Sequence, residues 1–331
     1  MPIADVFQSN IFTTKSLTDA INRLPFKPSR IGQMGLFESR GVSTTSVVIE
    51  ERDGQLQLLP TKQRGAPSSL GTAPKRRARP FLIPHVPHDE AVLASDVQDV
   101  RAFGSEDQLK PVSQLVNDRL LAMRQNHEVT HEHLRIGAIR GVILDADGTT
   151  VLFDLFEEFG KTEVEVDFEL DVDATKVKAK CHEVTRKIEE ALGAAPYDHI
   201  HAFVGANFWD DLVNHPTVEK AYERWSDGAF LRTDQRSGFE FSRIIFEEYR
   251  GKVGDVDFID ADQARFFPVG VPQLFRHYNA PADFMETVNT IGQPVYAKSE
   301  RMEFDRGSKL HSQSNPLPLC TRPEVLVKGI K

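Results

Sequence analysis

Leu109, Val112, Val116, Leu120 and Met123 recur every three to four residues, with charged residues between them. That spacing predicts one amphipathic helix from Asp107 to about Arg135. At 1.5 Å per residue it would run roughly 40 Å, long for a globular domain. Gly137 and Gly141 are expected to end it. Every other element must be accommodated around this rod, and the other periodic runs are short.

Upstream, residues 1–35 are weakly periodic and broken by Pro25 and Pro28, so they read as an extended arm with one short helix around 15–23. TTSVVIEERDGQLQLLP, residues 44–60, holds two β-prone runs joined through Asp53–Gly54, a hairpin signal. The next twenty residues, TKQRGAPSSLGTAPKRRARP, contain no acidic residue and carry Lys62, Arg64, Lys75, Arg76, Arg77 and Arg79. Such a segment has little means of burying itself and reads as a flexible basic loop.

Downstream of the rod, GVILDADGTTVLFDLFEEF places two β-prone runs around Asp147–Gly148, a second hairpin over 141–157. Residues 175–192 read as helix, 197–205 as strand and 208–225 as mainly helix. Residues 239–250 read as a strand pair or one long strand, and the tail as strand with proline breaks. There is no internal repeat, and the class is α+β.

Composition narrows the functions. The 331 residues carry a net charge of -9, which argues against a surface devoted to nucleic acid. Phe is abundant at 22 against 5 Tyr and 2 Trp, which favours buried packing over binding platforms. Cys181 and Cys320 match no metal or redox spacing and are expected to be inert thiols in a reducing compartment. MPIADVFQSNIF lacks a signal-peptide pattern, and no apolar run is long enough to span a membrane.

Two enzyme motifs stand close together. HEVTH puts His127 and His131 at i and i+4, where they can share a zinc ion with Glu128 as general base, the arrangement of a zinc metallohydrolase. Glu132 and His133 follow where such a helix normally enters a core, and Leu134 stands where the extended motif needs glycine. The alternative is a charged, solvated face near the helix end. LDADGT offers Asp145 as nucleophile and Asp147 as acid of an aspartate-dependent phosphatase. That chemistry needs a buried parallel sheet, and the following residues do not supply its strand–helix units. Asp-x-Asp-Gly is also what a hairpin turn prefers. An EF-hand reading fails because Phe156 stands where the closing Glu belongs. His85 and His88 lack a partner pair for metal, and His199 and His201 alternate on one strand face, where packing is the simpler role.

The order of parts carries more than either motif. RPFLIPHVPHDEAVLASDVQDVRAFGSE (79–106) resembles the lead from an extended loop into the spine helix in major capsid proteins of tailed bacteriophages, the lambda-type E family with the Hong Kong 97-type fold. LRIGAIRGVILDADGTTVLFDLFEEFG, HAFVGANFWDDLVNHPTVEKAYE, ARFFPVGVPQLFRHYNAPADFMETVNTIGQPVYAKSE and SNPLPLCTRPEVLVKG resemble, in order, the family's later segments.

The resemblance implies an arm at 1–35 and an extended loop at 36–84. It also implies a peripheral domain at 85–175, an axial domain at 176–290 and a return with the closing strand at 291–331. It implies a subunit without active site or cofactor, tiling an icosahedral shell as hexamers and pentamers around double-stranded DNA, without sequence-specific binding and without a membrane. A separate scaffolding protein, a portal and a decoration protein are the partners it suggests, with assembly in the bacterial host cytoplasm and residence in the virion. The arm and basic loop would then be buried by neighbouring subunits, with Arg76, Arg77 and Arg79 meeting acidic residues there, such as those on a neighbour's long helix.

Overall fold

The computed structural model describes residues 13–24, 29–52, 76–97, 112–223, 238–254 and 256–331. Helix α1 (Thr14–Arg23) starts at Thr13, whose hydroxyl accepts from Ser16 N at 3.2 Å. Helix α2 (Arg30–Met34) ends at Gly35 in the left-handed region. Strands β1 (Glu38–Gly41), β2 (Ser46–Arg52), β3 (Arg76–Leu82) and β4 (Val86–Leu93) follow, then the short α3 (Ala94–Val97) and the long helix α4 (Val112–Arg140).

β5 (Val142–Leu144) and β6 (Val151–Asp154) form an antiparallel hairpin. Asp154 then caps α5 (Leu155–Phe159) by accepting from Phe156 N and Glu157 N. β7 (Val164–Asp167), α6 (Val177–Leu192), β8 (His199–Val204), α7 (Ala206–Asn214) and α8 (Pro216–Glu223) come next. The helical run predicted over 208–225 is broken at His215, and Pro216 starts α8 where its missing N–H costs nothing.

β9 (Phe239–Phe241) and β10 (Ile244–Glu248) are a strand pair. Ser242 and Arg243 between them both have positive φ, 52° and 66°, the pattern of the turn that suits strand twist. β11 (Lys252–Val253), β12 (Val256–Asp257), β13 (Gln263–Val269), β14 (Phe275–Asn279), β15 (Tyr296–Arg301), β16 (Gly307–Ser314), β17 (Pro316–Cys320) and β18 (Val327–Ile330) complete the chain.

The chain divides into two interleaved compact units. The first comprises Met1–Val47, Pro80–His133 and Arg276–Leu319. Its core joins Leu17 and Ile21 of α1, Val92 of β4, Val116, Leu120 and Met123 of α4, Ala297 of β15 and Leu310 of β16. Each of these side chains larger than alanine contributes roughly 1.5–3 kcal/mol when removed from water. The predicted stripe Val116–Leu120–Met123 is therefore the buried face. Two sheets belong here, β15-β16-β4, wholly antiparallel, and β1-β14-β17, in which β1 runs parallel to β14. One expectation is corrected: α1 is buried against its own chain and needs no neighbour to cover it.

The second unit comprises Val48–Arg79, Leu134–Phe275 and Cys320–Lys331. Its six-stranded sheet has the order β7-β18-β13-β8-β10-β9. Phe168, Phe203, Phe208, Phe246, Phe266 and Phe267 are all fully buried in this unit, which is where much of the phenylalanine goes. Cys181 and Cys320 are free and buried, and burial pushes both thiols up to about 12. Among the described residues no helix is long and apolar enough to cross a membrane.

Gly137 does not end the long helix, which continues to Arg140 and stops at Gly141 with φ +83°. Gly137 is there for space: a Cβ would lie 2.8 Å from Ile143 Cα and 3.1 Å from Val142 O, against the backbone of β5. Alanine gains about 1 kcal/mol of helix propensity over glycine. Gly137→Ala is nevertheless expected to lose about 1–3 kcal/mol net, because backbone on both sides must shift. Denaturant unfolding of the subunit checks the sign, and a stabilised Gly137→Ala would show that the β5–β6 hairpin yields freely.

Candidate functional site: the polar stretch of the long helix and the basic hairpin

The HEVTH residues are not on a solvated face. His127, Glu128, His131, Glu132 and His133 are all buried, at 2, 7, 3, 4 and 7 % exposure. They continue the core stripe of α4, since 116, 120, 123, 127 and 131 fall on one side of a 3.6-residue helix. The stripe changes chemistry halfway, and β16 changes with it. GSKLHSQS turns Ser308, Leu310, Ser312 and Ser314 inward. Leu310 joins the apolar core, Ser312 Oγ meets His127 Nε2 at 2.8 Å, and Ser314 Oγ meets His131 Nε2 at 2.7 Å. Four residues of helix advance roughly 6 Å, and two residues of strand roughly 6.8 Å. A helix and a strand lying alongside can thus match i, i+4 to i, i+2 pair by pair.

The hydroxyl hydrogens fix the tautomers. Ser312 Oγ donates to His88 O at 3.2 Å and Ser314 Oγ to Pro294 O at 2.6 Å. Each hydroxyl therefore accepts from the imidazole, so both Nε2 atoms carry the proton. A protonated, hydrogen-bonded Nε2 has no lone pair to offer zinc. Glu128, the would-be general base, accepts from Ser29 Oγ at 3.0 Å. Glu132 accepts from Ser29 Oγ at 2.5 Å and from Ile31 N at 2.8 Å. It thereby supplies a cap for α2 that Ser29 itself does not. Among the described residues no group of three or more His, Cys, Asp or Glu could hold a metal ion. Burial lowers the pKa of His127 to about 4, with His88, Arg124 and His311 adding repulsion.

The LDADGT residues form the β5–β6 turn. Asp147 accepts from Thr149 N at 2.9 Å, Thr150 N at 2.8 Å and Thr150 Oγ1 at 2.6 Å. These donors hold its carboxyl well below the usual carboxylate range. An acid catalyst needs the opposite shift. Asp145 N donates to Thr150 O at 2.8 Å, and Gly148, at φ +70°, closes the turn by donating to Asp145 O. The motif is turn chemistry.

Three other histidines are also occupied. His85 Nδ1 lies 2.8 Å from Asn315 Oδ1, His88 Nε2 3.2 Å from Asn126 Nδ2, and His201 Nε2 3.1 Å from buried Glu247. His201 also stacks at an angle on Phe203 and Phe267, the packing role expected of it.

The basic segment is only partly described. β2 pairs with β3, while the Asp53–Gly54 turn, the run after it, Lys62, Arg64 and Lys75 lie outside the described residues. Arg76 and Arg77 sit on β3, and the half-buried Arg79 places its guanidinium carbon 5.3 Å from the Phe159 ring centroid. Sequence reading missed the burial of His127 and His131. The signal available was the unbroken stripe, together with alternating serines on a strand that ends next to it.

Comparison with known proteins adds what geometry alone does not. The family model described as "Phage major capsid protein E" matches residues 13–331. The major capsid protein of Pseudomonas phage KPP10 is 29 % identical, covering 97 % of both chains. That of Salmonella phage Felix O1 is 25 % identical, covering 96 % of this chain and 95 % of the other. Among solved structures, the putative capsid protein of a prophage of E. coli CFT073 aligns with a TM-score of 0.54 at 12 % identity, covering 96 % and 98 %. The capsid of cyanophage P-SCSP1u aligns at 0.51 and 10 % identity, covering 92 % and 89 %. At such identities the structures speak for the fold alone, and that fold is the α+β capsid fold.

Proposed function

The chain belongs to the phage major capsid protein E family, and from that premise we propose that it assembles as hexamers and pentamers into an icosahedral shell around double-stranded DNA. That it is a phage major capsid protein, with a structural role and a place in the virion shell, follows from the family match. The observation that carries it is the match of the family model over residues 13–331. The finer reading divides the chain into an arm at 1–35, an extended loop at 36–84, a peripheral domain at 85–175 with the return at 291–331, and an axial domain at 176–290. A scaffolding protein, a portal and a decoration protein are its partners in this reading, and assembly occurs in the host cytoplasm. The chemistry of the two enzyme motifs supports it: His127 and His131 serve serines, and Asp147 serves a turn. Mass photometry and negative-stain microscopy on the purified chain, alone and with a scaffold, test it. Rings of five or six subunits or closed shells are expected, and a strict monomer under every such condition would sink the reading.

The extended loop supplies a sharper test. β2 and β3 make a two-stranded ribbon, marginal by itself, whose connecting segment is rich in Lys and Arg. In the proposed shell it laps onto a neighbour, with Lys62, Arg64, Lys75, Arg76, Arg77 and Arg79 meeting carboxylates there. Reversing Arg76, Arg77 and Arg79 to Glu together is expected to abolish shells while the circular dichroism melt still shows a folded subunit. Normal shells from that triple variant would rule the lap contact out.

A further inference from the structure

The connection between β15 and β16 runs through Met302–Arg306, closed by Met302 N donating to Gly307 O at 2.9 Å. Phe304 and Asp305 both have positive φ, 59° and 56°. Glycine or asparagine takes that conformation readily, whereas a bulky residue there is an outlier. The Phe304 ring is nevertheless 86 % exposed. Its contact is with Arg306, whose guanidinium carbon lies 5.8 Å from the ring centroid, while the Arg301 guanidinium pairs with the Asp305 carboxylate and pins the turn. The fold thus holds an apolar ring outward, in a strained backbone that gives the subunit no packing in return.

A second apolar feature stands in the same unit. Met285, Val288 and Ile291 are 92, 57 and 71 % exposed within one short loop. The loop's polar groups are turned onto itself: Thr287 Oγ1 donates to Ala282 O at 2.7 Å, and Thr290 Oγ1 to Thr287 O at 2.8 Å. Gly292 N donates to Val42 O at 2.8 Å, and Gly292 lies so close to Asn279 that a Cβ would be 2.0 Å from its carbonyl oxygen. The loop is therefore fixed by hydrogen bonds within it and to Val42, and presents three apolar side chains, the condition in which little ordering is lost on binding.

We propose that the Phe304 tip of one copy seats on the Met285–Val288–Ile291 loop of a second copy, as a heterologous contact between capsid subunits. The contact rests on the capsid reading above. A second copy is the fitting occupant because each chain carries both an apolar projection and an apolar seat, and a head-to-tail pair of unlike patches repeats around a closed assembly. Of the charges nearby, Asp305 is paired with Arg301 and Glu286 with Lys298 at 2.9 Å, which leaves Arg306 beside the ring to face the exposed Asp283 at the seat, with Glu303 of the tip turned to solvent. A contact this small gains its strength from repetition across the shell.

Phe304→Gly separates the two roles of the residue. It removes the ring and suits the left-handed backbone, so the isolated subunit should unfold at the same or a higher temperature, while shells are lost or come apart at lower denaturant. Phe304→Leu should restore them in part. In parallel, Ile291→Cys and Phe304→Cys in one chain are oxidised in assembled shells. Cys181 and Cys320 are buried, with thiols pushed up to about 12, and do not compete. A ladder of linked subunits beyond that of either single variant is the expected result. Wild-type shell yield and stability in Phe304→Gly, with no ladder, would overturn the contact and leave the capsid reading standing. Failure of the unsubstituted chain to form shells would overturn both.

Discussion

Replacing Phe266 by alanine is expected to remove about 3–5 kcal/mol from the stability of the unassembled subunit. The ring is wholly buried on β13, at the middle of the six-stranded sheet. It stacks on Phe168 with centroids 5.5 Å apart and meets Phe246 edge-on at 5.8 Å. On the neighbouring strand Gly329 leaves the space the ring uses, since a Cβ there would lie 2.8 Å from Phe266 Cε2. Truncation leaves a cavity among aromatic rings that cannot collapse into it, which places the cost at the upper end for such changes. Urea unfolding measures it. A loss under about 1 kcal/mol would mean that the sheet repacks and that the aromatic cluster does not organise the unit.

The second large effect is with pH. The His127 imidazole is neutral in the fold, its pKa lowered by burial from 6.5 to about 4. Between those values the unfolded chain binds a proton that the folded chain refuses, so stability is full above about pH 6.5 and falls as the pH drops toward 4. At roughly 1.4 kcal/mol for each pH unit, the gap comes to about 3 kcal/mol. The Asp89 carboxyl, held below its ordinary range by hydrogen bonding to His311, acts in a lower window and does not imitate the effect. His127→Gln retains a donor for Ser312 and cannot titrate. Its stability should fall less between pH 6.5 and 4 than that of the unsubstituted subunit, the remaining slope including His199, whose pKa burial also lowers. Parallel curves for the two proteins would dismiss His127 as the acid-sensitive group.

What was legible in the sequence was what depends on near neighbours. The stripe of Val116, Leu120 and Met123 names a buried helix face because its period is local. The Asp147–Gly148 turn is legible because its hydrogen bonds span only three residues. The polarity of His127, Glu128, His131 and Glu132 was misleading because their partners, Ser312, Ser314, Ser29 and Ile31 N, come from distant segments. Continued past Met123, the period of the stripe reaches His127 and His131; residue type argues for water, and the satisfied hydrogen bonds decide for the stripe. Gly137 is the same lesson in reverse: glycine suggested an end to the helix, while the approach of Ile143 required it inside. The aromatic sheet was invisible as a sheet, since Val164 pairs with Val327 across most of the second unit's sequence.

That last pairing reaches into synthesis. β18 lies between β7 and β13, and β7 joins the sheet through it. A nascent chain that has not yet released Val327–Ile330 from the ribosome holds a sheet with a gap in it, flanked by open strand edges. The second unit therefore closes only when those residues emerge. Without those residues β7 loses its hydrogen-bonded partner and one edge of β13 stays open, so the order of the whole sheet hangs on a gap being filled by four residues.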